Sequence, residues 1–329
     1  MHAEARNRRQ RGPQKQIRLI SFVIPVYRNA GTLRATHEKV TALFADRLKT
    51  YAYEFVFVDD GSDDGSLNEL LVLRDDDSKV NVISFSRNFG QMAAATAGLK
   101  EAKGSAVVIM SADLQDPPEM IVHMVAAWEA GNTIVACERE DREDAFTSRV
   151  MSKLFYGLIR LSNSRMPLGG FDFVLVDRIA VDELNTIDER NRFFQGDILW
   201  LGYEVKYLPY KRLKRQVGES QWTLAKKAKY FIDGFLNTSY LSIRFMSLLG
   251  ICVALVGFLY AVLVVYNRII DATPFPGWAP IVILILIVGG LLMLMLGVIG
   301  EYVWRIYDET RGRAPYVIKK KYTVGVDEY

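Results

Sequence analysis

Short apolar runs alternate with amphipathic stretches along the first 140 residues. LISFVIPVY (19–27), YEFVFVDDGS (53–62), VNVISFS (80–86), SAVVIM (105–110) and NTIVACE (132–138) are rich in β-branched and aromatic residues. Between them, residues 31–46, 65–75, 90–102 and the run from Pro117 onward carry apolar positions at helical spacing. Short continuous apolar runs bounded by turn signals predict buried strands, and the longer periodic stretches predict helices. Strand alternating with helix predicts an α/β domain with a mostly parallel sheet, covered by helices on both faces. Ligands of such sheets bind beyond the carboxyl ends of the strands. Asp59, Asp60, Asp113 and Gln115 all fall at such ends.

The pattern changes near residue 240. Residues 245–267 contain no charged side chain, and neither do residues 272–300. A helix needs roughly 20 apolar residues to cross the ~30 Å hydrocarbon core of a bilayer. Two transmembrane helices are therefore expected, over 245–267 and 278–303, joined by a loop at 268–277. Lys226, Lys227, Lys229 and Arg244 precede the first, and Arg305, Arg311, Arg313 and Lys319 to Lys321 follow the second. The positive-inside rule puts both flanks in the cytoplasm and the loop outside it. Ahead of the first span, WTLAKKAKYFIDGFLNTSYLSIR (222–244) sets Leu224, Ala228, Phe231, Ile232 and Phe235 at helical spacing, away from clustered lysines. An amphipathic helix in the membrane interface and a helix packed on the cytosolic domain fit this pattern equally. Residues 1–17 are basic and are expected to form a disordered tail, or a tail resting on anionic lipid. A cytosolic domain is expected over 18–221, and residues 304–329 as a cytoplasmic tail.

Composition narrows the classes further. The 329 residues are 50% hydrophobic with a net charge of +3, which gives little reason to expect a nucleic-acid partner. The two cysteines, Cys137 and Cys252, are far apart, so no disulfide framework is implied and a reducing compartment fits. The three histidines are scattered, which argues against a His-rich zinc site.

The chemistry concentrates in SADLQDPPE (111–119). No Walker motif and no GxGxxG is present, so any phosphate must be neutralised by another device. Carboxylates repel phosphate unless a divalent cation lies between them. Mg2+ and Mn2+ take oxygen from one or two carboxylates and complete their shell with phosphate oxygens. In an extended chain Asp113 and Gln115 would point the same way and could hold such a metal diphosphate. A solvated acidic turn with a helix cap is the other reading of this stretch. Pro117 and Pro118 fix the turn and start the next helix.

FVIPVYRNAGTL (22–33), FVDDGSDDGS (57–66), SRNFGQMAA (86–94) and ADLQDPPE (112–119) follow one another in a characteristic order. Together they resemble family 2 glycosyltransferases of the GT-A fold. The polyisoprenyl-phosphate branch is the most similar, which includes dolichol-phosphate mannose synthase and bactoprenol glucosyltransferases. YKRLKRQVGES (210–220) and the paired apolar spans resemble its two-span members, so the likeness extends over residues 19–312. It implies an inverting transfer of a sugar from a nucleotide sugar to a polyisoprenyl (undecaprenyl) phosphate, with UDP-hexose the leaning for the donor. It also implies Mg2+ or Mn2+ as cofactor and a multi-pass protein of the inner (plasma) membrane. Self-association and a flippase are the further partners expected.

Residue roles follow from the same resemblance. Pro25, Tyr27 and Asn29 would contact the nucleotide, and Asp59 and Asp60 its base and ribose. Asp113, Gln115 and Ser111 would hold the metal and diphosphate. Arg139, Arg149, Arg212, Arg215 and Gln221 would bind diphosphate or lipid phosphate. A solvated basic face beside the membrane is the plainer account of the arginines. LGGFDFVLVDR (168–178) resembles the acceptor-side segment and makes Asp172 a candidate base or orienting group, or alternatively the cap of a turn. Three positions depart from the family pattern: Ser111 replaces the usual Asp, Asn29 a frequent Glu, and Gln221 a Lys. The Ser111 departure leaves room for a catalytically impaired, membrane-tethered scaffold that binds nucleotide sugar. A processive polysaccharide synthase would carry QxxRW, which SQWTL (220–224) lacks.

Overall fold

The computed structural model describes residues 18–139, 157, 160, 165–167, 170–190, 192–213, 241–269, 279–323 and 326–328. The five expected strands are β1 (Arg18–Val26), β2 (Tyr51–Asp59), β3 (Val80–Phe85), β4 (Ala106–Ile109) and β5 (Ile134–Arg139). Helices α1 (Leu33–Asp46), α2 (Ser66–Asp76), α3 (Gln91–Glu101) and α4 (Met120–Glu129) alternate with them. Strand β1 lies between β2 and β4 and is parallel to both, and β3 continues the parallel set beyond β2. The carboxyl ends of all four strands therefore meet at one rim.

Alternation along β1 divides the core into two layers. Ile20, Phe22 and Ile24 face one side, with Phe44 of α1, Phe55 and Phe57 of β2 and Leu70 of α2. Val23 faces the other side, with Val56, Val58 and Ile83 and the alanines of α3. That second face is tight: a Cβ on Gly98 would lie 2.4 Å from Val23 Cγ1, so only glycine lets α3 lie this close to β1. A methyl group there would force strand and helix apart.

Four more strands widen the sheet. Strand β6 (Phe173–Asp177) is antiparallel to both β4 and β5, and β7 (Val205–Tyr210) is parallel to β5. Helices α5 (Arg178–Thr186) and α6 (Phe194–Trp200) separate β6 from β7. Strand β8 (Ile318–Thr323) is antiparallel to β3, and β9 (Val326–Glu328) pairs with β8. The sheet order is β7-β5-β6-β4-β1-β2-β3-β8-β9. The mostly parallel centre expected from the sequence is present, with antiparallel additions on both sides.

Two long helices precede β8: α7 (Leu241–Ile269) and α8 (Ala279–Thr310), of 29 and 32 residues. At 1.5 Å per residue they measure about 43 and 48 Å. They carry most of the large exposed apolar side chains, among them Ile251, Phe258, Ile285 and Met293. Among the described residues one segment, Ile287–Thr310, is long and apolar enough to cross a membrane, and Met246–Tyr260 is a shorter apolar stretch.

The C-terminal segment differs from the tail expected over 304–329. Helix α8 runs on to Thr310, and the chain then returns to the nine-stranded sheet as β8 and β9. Tyr316 stacks on Phe85 at 5.0 Å between centroids, Val317 O accepts from Ser86 N–H at 3.0 Å, and Lys321 pairs with Glu101 at 2.6 Å. The end of α8 docks as well, through an Arg190–Asp308 ion pair of 2.8 Å. The interfacial helix expected over 222–244 lies outside the described residues up to 240; residues 241–244 open α7. The tail 1–17 and most of the loop 268–277 also lie outside them.

Candidate active site

The rim at the carboxyl ends of β1 to β4 is built from three short loops that hold one another. After β1, the Tyr27 N–H donates to Asn29 Oδ1 (3.0 Å) and the Asn29 N–H to Ser66 Oγ (2.9 Å). Arg28 adopts a left-handed backbone, φ 56°, and its guanidinium grips Asp63 at 2.7 and 2.6 Å. Pro25 lies inside β1, in register with Val58. The Thr32 hydroxyl donates to the Ala112 carbonyl at 2.8 Å, which ties this loop to the one after β4.

Asp59 and Asp60 end β2, and both are buried. Asp59 accepts from the Ser62 N–H (3.1 Å) and the Ser84 hydroxyl (3.2 Å), yet burial outweighs these bonds and raises its pKa. Asp60 accepts the Phe89 N–H (2.6 Å) on one oxygen and the Gly90 N–H (2.9 Å) on the other. It anchors the SRNFG loop, a structural task added to the nucleotide contact expected of it. Gly61 between the loops has φ +71°, and a Cβ there would lie 2.6 Å from the carbonyl carbon of Arg87. No larger residue fits that crossing.

The loop after β4 turns sharply instead of running extended. Leu114 has a left-handed backbone, φ 57°. The expectation that Asp113 and Gln115 share a side through extended geometry is thus corrected. They are joined instead by a tight turn, in which the Gln115 N–H donates to Asp113 Oδ1 at 3.3 Å. Ser111 Oγ stands 2.8 Å from Asp113 Oδ1 and 2.6 Å from Asp116 Oδ2. One hydroxyl proton thus serves two carboxyl groups. Asp116 also accepts the Ser111 N–H (3.1 Å) and the Tyr210 hydroxyl (3.0 Å).

Gln115 carries this loop to the far side of the sheet. Its Nε2 donates to the Leu213 carbonyl (3.2 Å), and its own carbonyl accepts the Leu213 N–H (2.9 Å). That pairing fixes the segment after β7 that contains Arg212. Arg139 ends β5 in register with Tyr210. Its Nη2 donates to Asp172 Oδ2 at 2.5 Å, while Gln195 Nε2 donates to Asp172 Oδ1 at 3.0 Å and to the Phe171 carbonyl at 2.7 Å.

Electrostatics follow from burial. Desolvation works against the Arg139 charge, but Asp172, Tyr210 and Asp116 overcome it and raise the pKa of the guanidinium. Burial pushes the Tyr210 hydroxyl up, aided by the charge of Asp116, so it stays a hydrogen-bond donor at neutral pH. The Nε–H groups of Arg139 and Arg212 are both buried without a hydrogen-bond partner among the described residues.

The described residues thus gather Asp113, Gln115, Ser111, Arg139, Asp172 and Arg212 around one rim. Arg149, Arg215 and Gln221 lie outside the described residues. Asp116, Tyr210 and Gln195 were given no role by the sequence. The proline pair after Asp116 hinted at a fixed turn, but nothing in the spacing marked Tyr210 or Gln195. Among the described residues no three His, Cys, Asp or Glu side chains cluster as a metal cage. Asp113, Ser111 and the Gln115 carboxamide offer only hard oxygen atoms. That set fits Mg2+ or Mn2+ bound through few protein ligands and completed by phosphate.

The rim is lined by buried acids, and two arginines on it, Arg139 and Arg212, each keep a buried Nε–H without a partner among the described residues. Residues 21–201 match the family model described as Glycosyl transferase family 2. This chain belongs to that family and is a glycosyltransferase. It is 36% identical to the uncharacterized glycosyltransferase YkcC of Bacillus subtilis strain 168, over 92% of this chain and 94% of that one. It is 33% identical to the prophage bactoprenol glucosyl transferase homolog of Escherichia coli K12, over 92% and 98%. Among solved structures, mannosyl-3-phosphoglycerate synthase from Rubrobacter xylanophilus is similar at 15% identity and a TM-score of 0.48, over 69% of this chain and 74% of that one.

Proposed function

We propose that this glycosyltransferase moves a hexosyl group from a nucleotide sugar, by preference a UDP-hexose, to a polyisoprenyl phosphate such as undecaprenyl phosphate. The product would be a lipid-linked sugar donor for envelope glycans, made at the cytoplasmic face of the plasma membrane. The observation that carries the reading is the pair of buried, unpartnered Nε–H groups on Arg139 and Arg212, beside the acids of the rim. A buried donor without a partner costs about 1–3 kcal/mol, and more when the group is charged. Phosphate oxygens are the acceptors that would relieve both. The bactoprenol relatives and the apolar helices α7 and α8 support a lipid as the carrier of one phosphate.

The acceptor chemistry then needs little proton management. A phosphate monoester has a second pKa near 6, so its oxygen is largely anionic at neutral pH. The new bond forms between that oxygen and the anomeric carbon. The bond from that carbon to the diphosphate breaks, and the nucleoside diphosphate leaves with the electron pair. What the protein must overcome is repulsion between two anions. Arg139 and Arg212 would offset it, with Arg149 and Arg215 as further candidates, and Asp59 and Tyr27 would hold the nucleoside. A bound Mg2+ or Mn2+, held by Asp113 with Gln115 and Ser111, would supply charge neutralisation at the leaving diphosphate.

The test uses purified protein in lipid nanodiscs, undecaprenyl phosphate and a panel of nucleotide sugars, with lipid product read by mass. Product with one or more donors is expected. Arg212→Ala should lower kcat/KM for the lipid phosphate by about tenfold to a hundredfold. Binding of a nucleotide sugar with no product from any donor would instead identify a scaffold.

A further inference from the structure

Asp172 is half exposed at 47%, but both of its oxygens are committed. Arg139 Nη2 holds Oδ2 and Gln195 Nε2 holds Oδ1. Gln195 is 1% exposed and cannot reverse its amide, because a flip would set Oε1 against two acceptors, the Phe171 carbonyl and Asp172. The geometry also leaves Gln195 Oε1 buried with no partner. A buried amide that satisfies two acceptors while stranding its own oxygen is costly, and such exceptions call for an explanation. Helix α6 carries Gln195, and two residues on in the same turn Asp197 is buried against Arg192 at 2.7 Å.

We propose that Asp172 is not a proton acceptor but the anion that aims the Arg139 guanidinium at the substrate phosphates, and that Gln195 is the positioning residue that fixes Asp172 for this task. The inference rests on the proposed transfer to a lipid phosphate, and it settles how the acceptor side of that site works. Each Asp172 oxygen already accepts a hydrogen bond, one from Arg139 and one from Gln195. The acceptor phosphate is already ionised, so a base has no proton to remove. Arg139 is held by Asp172 and by the Tyr210 side chain, and its buried Nε–H, without a partner among the described residues, is the donor left for a phosphate. Groups facing this cluster are Arg139 of β5, Tyr210 of β7 with Arg212 just beyond it, Asp116 from the β4 loop and Gln195 of α6; Arg192 and Asp197 pair with each other beside it.

Two variants test it, each read as kcat and KM for undecaprenyl phosphate across about pH 5.5 to 8.5. Gln195→Glu is isosteric. When protonated its single O–H can donate to Asp172 at the expense of the Phe171 carbonyl, and when ionised it repels Asp172. Its activity relative to wild type should fall about tenfold as pH rises through this window, mainly through KM, and recover at the acid end. Taking the ratio cancels the titration of the acceptor itself. Asp172→Asn keeps one acceptor for Arg139. It should raise KM severalfold to about tenfold, with kcat within about threefold and the pH profile unchanged in shape. A loss of about a hundredfold or more in kcat at constant KM, with the acidic limb gone, would mark Asp172 as a general base and overturn the proposal. A pH-independent ratio for Gln195→Glu would overturn the role of Gln195. Should that variant fail to fold, the kcat and KM split of Asp172→Asn decides alone. Absence of any lipid product from the wild type would instead refute the transfer reading itself.

Discussion

Asp59 shows how a single residue can trade stability for function. Its carboxylate is buried at the end of β2, where desolvation raises its pKa despite bonds from Ser62 and Ser84. A carboxyl group whose folded pKa lies above its unfolded value favours folding when protonated. That contribution is present at low pH and is lost as pH rises through the folded pKa. Asp59→Asn should therefore unfold at a higher temperature than wild type near pH 7 without nucleotide, with the gap closing toward pH ~4. The same variant should bind nucleotide sugar more weakly. Thermal melts at both pH values check the first statement, and calorimetry checks the second. At this scale the sequence showed which acids stand at strand ends, because each follows an apolar run. It did not show their partners. Ser111 replaces a family carboxylate, yet its hydroxyl and N–H bind both neighbouring acids, a role visible only once Leu114 turns the chain.

Among the elements, β1 to β5 and the helices between them were legible because each is a local apolar run or a periodic stretch. Strands β7 and β8 were not. KYLPY in β7 and IKKKYT in β8 are half-exposed and mix lysine with aromatics, so neither shows a buried run. Strand β8 is specified by its partners instead. It covers the edge of β3, its ladder is flanked by the Tyr316–Phe85 stack, and lysines protect its own face. Such edges are prone to pairing with other chains when left open. Truncation after Tyr316 should thus lower the unfolding midpoint by several degrees and promote aggregation. It should also weaken nucleotide binding, since Ser86 would lose the Val317 carbonyl that fixes the start of the SRNFG loop. Tyr316→Ala should show the same trend at smaller amplitude. Unchanged melting and monodispersity in the truncated protein would argue that β8 is dispensable.

For the whole molecule, the division between a sheet domain and a helical hairpin was legible in charge and hydropathy. The return of the chain to the sheet was not, because it depends on pairing between residues distant in sequence. That return constrains topology. Helices α7 and α8 lie between Leu213 and β8 in the chain, and both of those ends belong to the sheet domain, so if both helices cross a membrane they must together bring the chain back to the same side. With the domain in the cytoplasm, the loop between them should face outward. A cysteine at Thr273, in a chain lacking Cys137 and Cys252, should react with an impermeant thiol reagent added to intact cells. Labelling only after lysis would refute a two-span hairpin.

The pairing of Ser84 with Lys320 also sets an order of assembly. A ribosome delivers β3 early and β8 almost last, after both long helices have emerged. Until then the nascent sheet has an open flank, and Phe85 and Ser86 lack Tyr316 and Val317. Contacts this distant in sequence form late. The sheet domain completes itself only when the segment beyond α8 has been handed back to β3. A chain cut short before β8 would keep that flank bare and exposed to chaperones and proteases, so the last strand delivered becomes a precondition for an intact SRNFG loop.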